Sequence, residues 1–161
     1  MAPASVWYTK QYPREAWKAL LKSPALLPFR LYLVGGPDDH PLCEQIQSES
    51  QHPAVTNLAG KLSLLQTAAL MEHASMNYCN DSAPLHLASA MNARVVGIFC
   101  STVPTFGFGP LSDESHVIEA PTNLTCRPCT NHGKPLCPKG HFRCAFDITP
   151  DLLTAPLTRQ A

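Results

Sequence analysis

Along the first hundred residues, segments with apolar residues at helical spacing take turns with short, nearly continuous apolar runs. In "PREAWKALLK" (13–22), Ala16, Trp17, Leu20 and Leu21 fall on one helix face. Pro13 suits the first helical position, where a missing N–H costs nothing. "FRLYLVGG" (29–36) reads as a short strand closed by Gly35 and Gly36. "PDDHPLCEQIQSES" (37–50) opens with acids, which favour the positive end of a helix. "AVTNLAG" (54–60) reads as a second strand. "KLSLLQTAALMEHA" (61–74) predicts a helix capped by Ser63, with Leu64, Leu65, Ala68, Ala69 and Met71 on its apolar face. "SMNYCN" (75–80) is a third strand, "PLHLASAMN" (84–92) a helix and "RVVGIF" (94–99) a fourth strand. The last is almost wholly apolar, as a strand covered on both faces should be.

Strands alternating with helices of this length predict βαβ units: an α/β, Rossmann-like parallel sheet with helices on both faces. Ligands of such sheets bind beyond the carboxyl ends of the strands. Past residue 104 the periodicity fades. "TFGFGPLSDESHV" (105–117) reads as loop, and the chain then runs into a tail rich in cysteine and proline. The expected organisation is a Rossmann-like core over 1–121 and a Cys/Pro-rich, irregular tail over 122–161 packed on it.

Composition narrows the function classes. The 161 residues are 45% hydrophobic and 15% charged, which is globular rather than disordered. Twelve basic residues balance twelve acidic ones, so no basic surface points to nucleic acid. No run approaches the roughly 20 apolar residues of a membrane span, and "MAPASVWYTKQYP" lacks the apolar stretch of a signal peptide. The expected location is cytoplasmic. Cys43, Cys79 and Cys100 sit singly in apolar or helical surroundings and read as plain small core or surface residues.

Three strand-to-helix junctions carry polar groups of interest. In "NDSAPLHLA" (80–88), free N–H groups at a helix start and the Ser82 hydroxyl could cradle phosphate. Asp81 would repel phosphate and fits sugar hydroxyls better, and both residues could equally be helix caps. No G-x-S-x-G elbow supports a hydrolase reading of Ser82 with His86. Lys10, after Ser5 and Thr9, could neutralise a phosphate or be an ordinary solvated lysine. Asp38 and Asp39 could bind ribose hydroxyls or simply charge a helix start. In the tail, Cys126, Cys129, Cys137 and Cys144 are spaced for a tetrahedral structural zinc, with His132 and His141 as spare ligands; reduced thiols and disulfides are the alternatives.

Four of these pieces, "SVWYTKQYP", "LYLVGGPDD", "NLAGKLSLLQTAALMEHA" and "NDSAPLHLASAMNARVVGIFCSTVP", together resemble glycosyltransferase family 9, the ADP-heptose:lipopolysaccharide heptosyltransferases. They follow the family's order over residues 3 to 104, and the cysteine-bearing tail resembles a subset of the family. The family is an inverting transferase of two Rossmann-like domains (GT-B), and this chain resembles the second, donor-binding domain only. By resemblance, Ser5 and Lys10 contact the donor phosphates, Asp39 holds the ribose, and Leu62 packs near the adenine. Asp81 contacts the donor sugar, Ser82 and the Ala83 N–H hold the diphosphate, and His86 lines the pocket. Ala83 departs from the family turn, which often has glycine there.

The resemblance implies an ADP-sugar donor and a lipopolysaccharide core acceptor bound through a missing N-terminal domain that carries the catalytic base. It implies no catalytic metal and a place at the inner face of the inner membrane. A different class, a non-catalytic zinc-stabilised nucleotide-binding or interaction module, is also compatible with the residues.

Overall fold

Alternation along the strands decides which side chains face which helices. The computed structural model describes residues 1–158. In β3 (Asn77–Asn80) and β4 (Val95–Phe99), Tyr78, Val96 and Ile98 point into one apolar cluster, while Cys79, Val95 and Phe99 point into another. The first cluster is covered by α1 (Arg14–Leu21) and α2 (His40–Ser50), through Trp17, Leu20, Leu21, Cys43 and Ile46. The second is covered by α3 (Leu64–Glu72) and α4 (Ala83–Ala90), through Met71, Leu85 and Ala88. Every residue of β3 and β4 is buried, so both faces of the sheet are covered, and the expected α/β architecture is present. Cys43, Cys79 and Cys100 are fully buried, as plain core residues. Burial pushes the Cys43 and Cys79 thiols up to about 12.

All strand pairings are parallel. β1 (Leu31–Leu33) pairs with β2 (Val55–Asn57), and β4 lies between β3 and β5 (Ser115–Glu119). The first residues of the chain join the two sheets. The Met1 ammonium donates to Tyr32 O, Val34 N–H donates to Met1 O, and Ala2 N–H donates to Tyr78 O, with Ala2 bridged in parallel to Cys79. The loop that leaves this central segment therefore starts at the carboxyl end of the sheet.

Several local expectations hold. Ser63 caps α3 in a capping box with Gln66, each side chain bonding the other's backbone N–H. Trp17, Leu20 and Leu21 are buried. Pro13 sits one position earlier than expected, as the N-cap of α1. In α3, Ala68 and Met71 are buried, but Ala69 is exposed and Leu64 and Leu65 are 70% and 81% exposed, so only part of the expected face is covered. Two expectations fail. β5 begins inside the stretch read as loop and runs past its end; it is an edge strand of mostly half-buried mixed residues and carries no clean alternation. The tail is not irregular throughout: it contains α5 (Arg143–Phe146) and α6 (Pro150–Thr158). Phe142, Cys144, Ala145, Ile148 and Leu153 join the cluster around Trp17, and the Tyr12 hydroxyl donates to Ile148 O. No helix among the described residues is long and apolar enough to cross a membrane.

Candidate functional site

The carboxyl ends of β1 and β3 and the loop after Ala2 enclose a cavity of about 530 Å³. Ser5, Asp39, Leu62, Ser82 and Ala83 all line it, joined by Asp38, Leu64, Thr67 and Leu87. Five of the eight residues expected to bind the donor are thus brought to one cleft from four separate segments. Lys10, Asp81 and His86 are outside its lining.

Asn80 makes this convergence possible. At the end of β3, wholly buried, its side-chain amide donates to Pro3 O, and its Oδ1 accepts from Tyr12 N–H. It therefore pins both ends of the 3–12 loop, which carries Ser5 and Lys10. Buried polar groups are retained when every hydrogen bond is met, and Asn80 meets its own by closing this loop. Beyond the end of β1, the Asp39 carboxylate folds back to accept the Gly36 N–H at 2.8 Å. Glycine is needed at 35, since a Cβ there would lie 2.6 Å from Asp39 Oδ2.

The start of α4 keeps its positive end free. Ser82 is the N-cap residue but makes no side-chain bond to the helix; its hydroxyl donates to Asn80 O instead. Pro84 offers no N–H. The Asp81 carboxylate is turned away from the helix as well, so neither residue is a simple cap. Ala83 lies at the helix start and has no positive φ, so the turn does not need the glycine that the family often has there.

Asp81 is 3% exposed, and its Oδ2 is shared by two partners: the Lys10 ammonium at 2.9 Å and the Thr102 hydroxyl at 2.6 Å. The expected phosphate-binding lysine therefore has an acid partner that sequence proximity does not reveal. His86 is exposed on α4, with its ring edge-on to Phe108 at a centroid distance of 6.2 Å.

Arg127 anchors the tail, although an arginine between two cysteines gives no signal of this in sequence. Its guanidinium donates to Cys100 O at 2.6 Å, to Phe99 O at 3.1 Å, and also to Thr102 O and Glu119 Oε1. It thus closes the carboxyl end of β4, where carbonyls would otherwise lack donors.

The thiols of Cys126, Cys129, Cys137 and Cys144 lie near one another. Burial raises the Cys129 pKa, and the Cys126 and Cys137 charges raise it further. Burial also pushes Cys144 up to about 12. All four are free thiols, so the disulfide alternative is not what the structure contains. Among the described residues, no group of three or more His, Cys, Asp or Glu side chains is placed to hold one metal ion. Cys129 Sγ donates to Cys126 O, Cys144 is packed into the core, and His141 Nε2 stands 3.8 Å from Cys126 Sγ while its Nδ1 accepts the Arg143 N–H. His132 is exposed, and its N–H donates to Thr130 Oγ1.

A second cavity, about 350 Å³, opens at the opposite ends of the strands, among Leu26, Phe29, Tyr32, Met76 and Leu157. None of the expected donor-binding residues lines it.

Residues 1–139 match the model of glycosyltransferase family 9 (heptosyltransferase). The chain is 37% identical to lipopolysaccharide heptosyltransferase 3 of Escherichia coli over 76 residues, 46% of this chain and 22% of that protein. It is 26% identical to lipooligosaccharide heptosyltransferase 2 of Haemophilus influenzae over 148 residues, 89% of this chain and 41% of that protein. The solved structure of E. coli ADP-heptose lipopolysaccharide heptosyltransferase II superposes with a TM-score of 0.77 at 25% identity, covering 98% of this chain and 44% of that one. An E. coli heptosyltransferase solved with ADP gives 0.76 at 19% identity, over 99% of this chain and 43% of that one, a likeness of fold. The chain spans less than half the length of these relatives. On the match over residues 1–139, it belongs to glycosyltransferase family 9, the heptosyltransferases.

Proposed function

We propose that this chain is the donor-binding half of an inverting glycosyltransferase that moves a heptose-like sugar from an ADP-sugar to a lipopolysaccharide core. One observation carries this: Ser5, Asp39, Leu62, Ser82 and Ala83, from separate segments, line one cavity at the strand ends. In this reading Leu62 packs on the adenine, Asp39 meets the ribose, and Ser5, Ser82 and the start of α4 face the diphosphate. Lys10, beside the cleft, supplies positive charge. Asp81 lies buried against Lys10 and Thr102, which suits an orienting role better than direct contact with the sugar.

Displacement at the anomeric carbon leaves charge on the departing diphosphate. Lys10 and the uncapped helix start would stabilise it by electrostatics already in place, without a catalytic metal. The attacking hydroxyl needs a general base. We assign that base to an acceptor-binding domain beyond this chain and place the enzyme in the cytoplasm, at the inner face of the inner membrane. A non-catalytic module stabilised by zinc has no assembled ligand set in its favour among the described residues.

Calorimetric titration with ADP, UDP and GDP tests the reading. ADP is expected to bind most tightly, because the apolar wall at Leu62 must accept the base. Equal affinity for the three nucleotides would contradict a site built around adenine.

A further inference from the structure

The Lys10 side chain is held at two points by residues outside the cavity lining. At its head, the ammonium lies 2.9 Å from Asp81 Oδ2, and the same oxygen accepts the Thr102 hydroxyl at 2.6 Å. Thr102 is 1% exposed and leaves β4 where Arg127 grips its carbonyl. Along its stem, Lys10 is packed by the tail. Gly133 has φ +85, and a Cβ there would come within 2.8 Å of Lys10 Cγ and 2.9 Å of Trp7 Cβ. The tail is fastened at this place: Lys134 N–H donates to Thr9 Oγ1 at 2.7 Å, and Thr9 N–H donates to Lys134 O at 3.1 Å.

A lysine stem has many rotamers, and a free one loses that freedom when it binds an anion. A stem already fixed loses less, which is the advantage of a preorganised contact. A carboxylate oxygen can accept more than one hydrogen bond, and a second donor fixes the direction in which it holds a cation. Asp81 Oδ2 takes the Thr102 hydroxyl together with the Lys10 ammonium, so the hydroxyl orients the carboxylate that holds Lys10.

We propose that Thr102 and Gly133 are positioning residues for Lys10: Thr102 orients the carboxylate that holds the ammonium, and Gly133 leaves room for the stem. The cysteine-bearing tail thereby forms part of the phosphate subsite. This inference rests on the reading of Lys10 as a donor-phosphate contact.

The test is a double-mutant cycle read by ADP calorimetry on the whole chain. Thr102→Val, which removes only the hydroxyl, is expected to weaken ADP binding about three- to tenfold, the net worth of one hydrogen bond. Thr102→Ser is expected to bind as the wild type does. In a Lys10→Ala background the Thr102→Val loss should vanish, since no ammonium is left to position. Gly133→Ala should show the same dependence on Lys10, and it carries the test if Thr102→Val does not fold. Wild-type affinity in Thr102→Val, or an equal loss with and without Lys10, would overturn the positioning role while leaving the donor site standing. Failure of Lys10→Ala to weaken ADP would overturn the donor-phosphate reading, and this inference with it.

Discussion

Arg127→Met is expected to destabilise the fold by about 3 kcal/mol, a large effect for a single polar substitution. The guanidinium donates to the carbonyls of Phe99, Cys100 and Thr102 and to Glu119. Methionine keeps most of the apolar stem but no donor. Hydrogen bonds to charged groups are worth about 1.5–3 kcal/mol each, and orphaned buried carbonyls add a desolvation cost. Glu119 is more exposed, so its share is small. At this chain length the melting temperature should fall by roughly 10 °C. Chelation gives a companion result. If Arg127 rather than zinc fastens the tail, EDTA leaves the wild-type melting temperature unchanged. A drop with EDTA, together with stoichiometric zinc by elemental analysis, would instead show a metal-held tail.

Lys10→Ala is the second large expected effect, on binding rather than folding. A charge-assisted phosphate contact is worth about 1.5–3 kcal/mol, or roughly ten- to a hundredfold in affinity. Removing Lys10 loses the contact, and it also leaves Asp81 without its cation beside an incoming diphosphate. Both changes lower ADP affinity, so the upper part of the range is expected. Calorimetry on the variant checks it; wild-type affinity would remove Lys10 from the site.

Much of the architecture was legible because period-two and period-3.6 patterns leave visible marks. Ser63 announces a cap, and the all-apolar run at Val95–Phe99 announces a doubly covered strand. The cleft was legible because its residues sit at strand-to-helix junctions, where chain order alone says which end of the sheet they occupy. What stayed hidden depends on long-range partners. Asn80 is one polar residue among several until Pro3 and Tyr12 are seen on either side of it. Lys10 and Asp81 meet although they lie far apart in sequence, and Thr102 and Arg127 belong to loops with no periodicity. β5 was lost because half-buried edge strands carry no strong alternation.

The central claim is that an adenine nucleotide occupies the cavity at the carboxyl ends of the strands. Amide chemical-shift mapping during an ADP titration tests it most directly. Perturbations are predicted at Ser5, Lys10, Asp39, Leu62, Ser82, Ala83 and Leu87, with Phe29, Tyr32 and Met76 unmoved. Shifts gathered at Phe29, Tyr32 and Met76, with the amides around Ser82 unchanged, would place the nucleotide at the opposite end of the sheet and contradict it.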